Sequence, residues 1–354
     1  MQRPRPSNPG AVPLRMSVPS NPRRVSLTPE PLHCTSSSHR VWSLCGEVTM
    51  TSERADTHFW QAPARRGSVF RSVLRVARRA PIGAAAAIVI FLLAFISVFG
   101  PMLAPFDPLE LHRADRLVGP NSTYWLGTDA FGRDQFSRLL HGTRVSIIVG
   151  LAPVAASTVV GSAIGIVSAY AGGMRDVVIQ RVMDAFMAFP ALITVLVMVS
   201  LLGPTMLNVI LVLAVVTTPT VNRVARGLTL STLGLPYIES ARASGASQRR
   251  IILLHIVPNV LPPVVILAAS LIGGAILAEA SLSFLGLGVP PPDPTWGNLL
   301  GGQNRDAFEV APWLAVFPGL AIAITVLAFN LIGDTLRDTL DPRMRGSQDV
   351  GAGK

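Results

Sequence analysis

The sequence predicts an all-α fold, a polytopic membrane bundle of six transmembrane helices, and three observations carry the prediction: composition, long apolar runs and arginine placement. Half of the 354 residues are hydrophobic and only 14% are charged, against about 25% charged in a soluble domain. Mean hydropathy is +0.48. Apolar runs long enough to cross a hydrocarbon core of roughly 30 Å recur along the chain. Arginine excess falls in alternate loops between those runs, as the positive-inside bias requires.

Residues 1–64 come first, and within them 1–49 are rich in Pro, Arg and Ser without apolar periodicity. Such a segment buries too little surface to offset its ordering entropy, so a disordered extension is expected. Met50 is an alternative start of translation. No apolar signal-peptide core lies near residue 1, so export of the N-terminus by that route is not expected. Cys34 and Cys45 fall in this extension and form no CxxC or Cys/His cluster for a metal. Residues 65–80 read as a basic, loosely amphipathic segment at the cytoplasmic surface, its first half equally well a solvated linker.

A polytopic membrane domain is expected over 81–343, with a disordered tail at 344–354. Its spans are expected at Ile82–Leu103, Val145–Tyr170, Ala185–Leu202, Thr205–Val221, Val260–Phe284 and Trp313–Ile332. Gly203 and Pro204 make a tight external turn between the third and fourth. Gly161, Gly165, Gly273 and Gly274 allow helices to approach closely, so a bundle is expected.

Six spans put both termini on one side, and the charges choose the cytoplasm. Arg175, Arg181, the stretch Arg223 to Arg250 and the stretch Arg337 to Arg345 fall in cytoplasmic segments. The first external loop, 104–144, instead balances Arg113, Arg116, Arg133 and Arg138 against Asp107, Glu110, Asp115, Asp129 and Asp134. The net charge of +10 is therefore membrane topology. A nucleic-acid binder would interleave its basic stripe with aromatics, and this chain does not.

The most informative segment is the polar stretch Tyr237 to Asn259, inside a cytoplasmic loop expected over 222–259. Pro236 suits the first position of a helix, Glu239 favours the helix dipole in its first turn, and Gly245 ends it. Ser247 caps a second helix carrying apolar Ile251, Ile252 and Leu254, and Pro258 marks a break before the next span. Two short helices at an angle, joined rigidly to membrane spans, form a docking handle for a separate motor. A solvated connecting loop would not require this spacing.

Other candidates are less specific. Asp129, Arg133 and Asp134 either fold the external loop into a compact cap or contact a partner outside the membrane, or merely keep the loop soluble. Gly127, Gly132 and Gly142 argue for defined turns there. Glu279 is the one carboxylate inside an apolar run, with either a structural hydrogen bond or a pore-facing position. Ser281 and Ser283 either line a pore or pack helices. Trp296 and Trp313 read as interfacial anchors beside the stiff Pro290 to Pro294 exit. Asp334, Arg337, Asp338 and Asp341 share one face of a cytoplasmic helix end, where Arg337 can pair with Asp334 or Asp341. That face braces the coupling loop, touches a partner or is simply solvated.

The segment with Glu239, Ser240, Ala241, Gly245 and Ala246, followed by His255, Pro258 and Asn259, resembles the "EAA" loop of permease subunits of binding-protein-dependent ABC importers. The branch is that of dipeptides, oligopeptides and nickel. LGTDAFGRDQFSRLLHGTR from Leu126, GGMRD from Gly172, LSFLGLG from Leu282, PTWG from Pro294, Pro312 with Trp313, and NLIGDTLRDTLDP from Asn330 are similar to further hallmarks of its C-type permease. The resemblance spans Arg79 to Arg345 and departs at Ser240, a small residue for alanine, and at Thr217 to Asn222.

That resemblance implies the ABC type I importer permease fold, a bacterial inner-membrane location and half of a translocation pore. Its implied partners are a homologous permease forming a heterodimer, two cytoplasmic ABC ATPases, an extracytoplasmic solute-binding protein and membrane lipid, with no nucleic acid. It implies no cofactor in this chain, ATP and Mg residing on the ATPases, and it makes Glu239, Ala241 and Gly245 a coupling helix. The sequence agrees with a non-enzymatic role: no GxxxxGK[ST] loop occurs, and Lys354 is the sole lysine. No HExxH helix or intramembrane Ser/His pair supports a membrane protease. The alternative, a secondary transporter or channel subunit without ATPase partner, would need charged or broken helices at mid-membrane and leaves the docking loop without purpose.

Overall fold

A computed structural model describes residues 81–340. The expectations for 1–64, 65–80, Asp341 and 344–354 lie outside the described residues. Among the described residues the regular structure is helical: α1 Pro81–Leu103, α2 Gln135–Ala171, α3 Gly173–Met187, α4 Ala191–Leu202, α5 Met206–Leu233, α6 Pro236–Ala243 and α7 Gln248–Ile251. A π turn, Ile252–Ile256, then leads into α8 Val257–Phe284, followed by α9 Trp296–Leu299, α10 Gln303–Asp306 and α11 Trp313–Leu340. Five helical stretches among the described residues are long and apolar enough to cross a membrane, or six when the bent α3–α4 pair is counted as one span.

The bundle is organised around α2, whose most extensive neighbour is α5, with α8 and α1 also against it. Glycine sets the α2–α5 approach. A Cβ at Gly165 would lie 2.6 Å from the Asn222 carbonyl oxygen, and one at Gly161 would lie 2.8 Å from that of Thr218. Gly273 likewise faces Val326 of α11, but Gly274 meets nothing within 4 Å and plays no such part. Apolar side chains such as Phe91, Val98 and Met102 of α1 face outward, as a helix in lipid presents them.

Several boundaries differ from the sequence expectation, each for a local reason. Helix α2 starts at Gln135, well before Val145, because Asp134 caps it by accepting from the Ser137 N–H at 2.8 Å. Gly142 is therefore helical, packed toward Pro294 and Thr295, and makes no turn. The third span is no straight helix: α3 and α4 meet at 86° across residues 188–190. Pro190 lacks an N–H and disfavours helical geometry at Phe189, leaving α4 with 12 residues.

Helix α5 continues past Val221 to Leu233, since its polar Asn222, Arg223 and Arg226 find side-chain partners on α3. Pro258 does not interrupt the chain. The π turn before it lets the Val257 N–H reach the Ile252 carbonyl, and Pro258 enters α8 in its first turn, where a missing N–H is tolerated. Trp296 is 1% exposed and no interfacial anchor: its backbone N–H donates to Ser146 Oγ at 3.0 Å and its indole N–H to the Leu139 carbonyl at 3.3 Å. Asp334 and Arg337 form no ion pair among the described residues.

Candidate functional site

The loop between α5 and α8 is built from local signals. Pro236 opens α6 with Glu239 in its first turn, and the chain reverses at Gly245, whose φ is +76°. Only glycine adopts that angle without strain. Ser247 then caps α7 by accepting from the Arg250 N–H. The loop has two faces. Ile238, Ile251 and Ile256 are fully buried with Val221 and Ala225 of α5 and Val260 and Val264 of α8. Glu239, Ser240 and Gly245 are exposed, Ala241 and Ala246 half-buried. Nothing stands within 4 Å of the position a Gly245 Cβ would take, and Glu239 has no ion pair among the described residues.

The rest of the expected constellation closes the loop's base. Asn259 donates from Nδ2 to the Tyr237 hydroxyl at 3.1 Å and to the His255 carbonyl at 2.6 Å. The Tyr237 and His255 rings stand with centroids 6.0 Å apart, and Arg242 lies over the Tyr170 ring at the end of α2. Pro258 is exposed. Apolar anchoring beneath an outer face that exposes Glu239, Ser240 and Gly245 along with Leu253 and Leu254 makes this a platform continuous with two spans.

At the opposite end of α2 lies a folded cap, residues 104–134. Asp129 is its hub and is 0% exposed. It accepts from the backbone N–H groups of Phe131 at 2.8 Å and Arg133 at 2.9 Å, from Arg133 Nε at 2.8 Å, and from Arg138 Nη1. Gly127 and Gly132 turn the chain at φ of +77° and +81°. Trp313 Nε1 donates to the Thr128 carbonyl at 3.3 Å, fastening the cap to the start of α11. Tyr124 donates to Asp115 at 3.0 Å; burial and then this hydrogen bond hold its phenol above the usual range, so it remains a donor. Asp134 is spent on capping α2, apart from Asp129 and Arg133.

Glu279 and Ser283 are buried together in α8, Ser283 Oγ donating to Glu279 Oε1 at 2.7 Å. Ser281 is partly exposed instead and borders two grooves, one with Phe284 and Leu300 and one with Val195 and Leu213.

Residues 161–346 match the family model described as binding-protein-dependent transport system inner membrane component. The chain belongs to this family. Residues 68–120 also match the N-terminal TM domain of oligopeptide transport permease C. Among curated relatives, this permease is 41% identical to the glutathione transport system permease protein GsiD of Pectobacterium atrosepticum, over 75% of this chain and 89% of the relative. It is 37% identical to the dipeptide transport system permease protein DppC of Alkalihalophilus pseudofirmus, over 78% and 91%. It is 38% identical to the probable D,D-dipeptide transport system permease protein DdpC of Escherichia coli, over 76% and 90%. The protein is thus a multi-pass permease subunit of an ABC importer of the inner membrane, from a family of permease rather than catalytic subunits.

The permease also holds polar pairs that sequence reasoning missed. Arg226 of α5 grips Asp176 of α3 with both ends of its fork, at 2.8 and 2.6 Å. Asn222 donates to Gln180 at 3.0 Å, and Arg223 to Asp184 at 2.9 Å. Asp176 stood in the GGMRD motif, but its partner lies 50 residues away. The available signal was two arginines and an asparagine at helical spacing just past an apolar run.

Proposed function

We propose that this permease forms half of a translocation pore for peptides or related small solutes, paired with a homologous permease. Two cytoplasmic ATPases carrying ATP and Mg drive it, and an extracytoplasmic solute-binding protein delivers the solute. The substrate class rests on the relatives named for glutathione and dipeptides. Both termini lie in the cytoplasm, which the arginine bias supports.

One observation carries the coupling role: the 236–259 loop exposes Glu239, Ser240 and Gly245 while Ile238, Ile251 and Ile256 lock it to α5 and α8. A partner pressing on such a platform moves two spans, whereas a floppy loop would absorb the push. Ala241, Ala246, His255, Pro258 and Asn259 shape and brace that surface. Asp129, Arg133 and Asp134 hold the external cap in the form that meets the binding protein. Ser281, bordering open grooves, lines the pore, with Glu279 and Ser283 supporting it from within the subunit.

Cross-linking tests the docking. With Cys34 and Cys45 replaced by Ser, Ser240→Cys in the assembled importer is expected to link to an ATPase subunit. Efficient links from Ser240→Cys to other proteins alone would remove the proposal.

A further inference from the structure

Helix α3 is held differently from every other long helix. Of its 15 residues only Asp176 is buried, and none joins a hydrophobic cluster among the described residues. Its attachment is a ladder of Asp176, Gln180 and Asp184, one helical turn apart. These meet Arg226, Asn222 and Arg223 of α5, and Gln180 also donates to Ser168 Oγ of α2 at 3.2 Å. Both ends of α3 are joints. Gly172 precedes it and Gly173 begins it, with φ of +61° and +56° and open space around each, and the 86° bend at 188–190 follows it.

Beyond that bend, Val195 and Val199 of α4 are packed into a core with Val149, Val209 and Leu213. At its other end, α5 leads within a few residues into α6, whose Ile238 packs on Val221 and Ala225 of α5 itself. Displacement of the loop therefore reaches α5 directly. Helix α5 reaches α3 through polar side chains.

We propose that this ladder is a relay, in which Asp176 and Arg226 are positioning residues that make the bent α3–α4 segment follow α5 when the loop is pushed. The relay rests on the reading of the 236–259 loop as the ATPase contact. The physical case is register. Apolar helix contacts in a membrane gain no hydrophobic driving force, since lipid tails are as apolar as their partners, and rely on packing alone. A bidentate guanidinium–carboxylate pair fixes distance and orientation together. Asp176 is 8% exposed while the Arg226 side chain is 32% exposed, so the pair is partly shielded from water. Between two joints, the ladder makes α3 a lever. An open cleft of about 420 Å³ runs along the ladder itself, lined by Asp176, Gln180, Asp184, Arg223 and Arg226.

The test uses the complete importer, purified by a tag on this chain and placed in lipid nanodiscs, with Cys34 and Cys45 replaced by Ser. Spin labels at Leu201→Cys of α4 and Val159→Cys of α2 report the bent span; labels at Ser244→Cys and Val159→Cys report the loop. Trapping with Mg-ATP and orthovanadate is expected to shift both distances in the otherwise unaltered chain. Asp176→Asn should keep the loop shift and lose more than half of the α4 shift, and the Asp176→Arg/Arg226→Asp exchange should recover it. Arg226→Lys, which keeps the charge and loses the fork, replaces Asp176→Asn if that variant does not assemble. A full α4 shift in these single variants overturns the relay alone. A motionless loop in the unaltered chain overturns the reading beneath it as well.

Discussion

Asn259, at the start of α8, donates a hydrogen bond to the Tyr237 hydroxyl in α6 at 3.1 Å, closing the loop between them at its base. The same amide holds the His255 carbonyl, so one side chain ties α6 to the root of α8. Removing it with Asn259→Ala is expected to leave the buried isoleucines in place and loosen the polar rim. Limited proteolysis should then cut between residues 234 and 247 several-fold faster, while the spans stay protected.

Asp129 anchors the cap of residues 104–134, and its loss leaves Arg138, 5% exposed, with an unpaired charge. Breaking a buried pair from one side costs about 3–5 kcal/mol. Asp129→Asn should therefore unfold the cap at markedly lower temperature than the parent, as followed by Trp125 or Trp313 fluorescence. An unchanged transition would show that the hub carries no such weight.

The α2–α5 contact depends on a missing side chain. Gly165→Val would drive its branches into the Asn222 carbonyl, 2.6 Å from the Cβ position, an overpacking cost of about 1–3 kcal/mol. Lower yield of folded, detergent-stable protein is expected for Gly165→Val. Gly274→Ala, with open space at the same point, should behave as the parent does.

Trp296 is a core residue, and Trp296→Ala removes its packing and its hydrogen bond to Leu139 at a cost of about 3–5 kcal/mol. A melting curve distinguishes this from an interfacial anchor, whose loss would change membrane placement with little effect on folding.

How much of this was legible depended on range. Pro236, Gly245 and Ser247 act within one or two turns of themselves, so their roles could be read directly and are seen in the loop. Apolar runs likewise placed five of the spans, because transfer from water to lipid is local in sequence, but not the bend that breaks the third. Span ends were less legible. Arg223 and Arg226 look like the end of a helix until Asp176 and Asp184 satisfy them across a gap that no periodicity reports. Pro190 and Pro258 show the same limit: one bends its span sharply, the other sits in the first turn of α8, and the difference lies in the π turn upstream. Trp296 misled because aromatic belts and aromatic cores share a composition.

The coupling claim is tested most directly by uptake and ATP hydrolysis measured together in proteoliposomes holding the full importer. Glu239→Ala removes the exposed carboxylate of α6. Gly245→Val forces a branched residue to φ of +76°, a strain of about 1–2 kcal/mol confined to the loop tip. Both variants are expected to insert normally and to lose uptake while the ATPases continue to turn over. Normal substrate accumulation by both would contradict the role assigned to the loop.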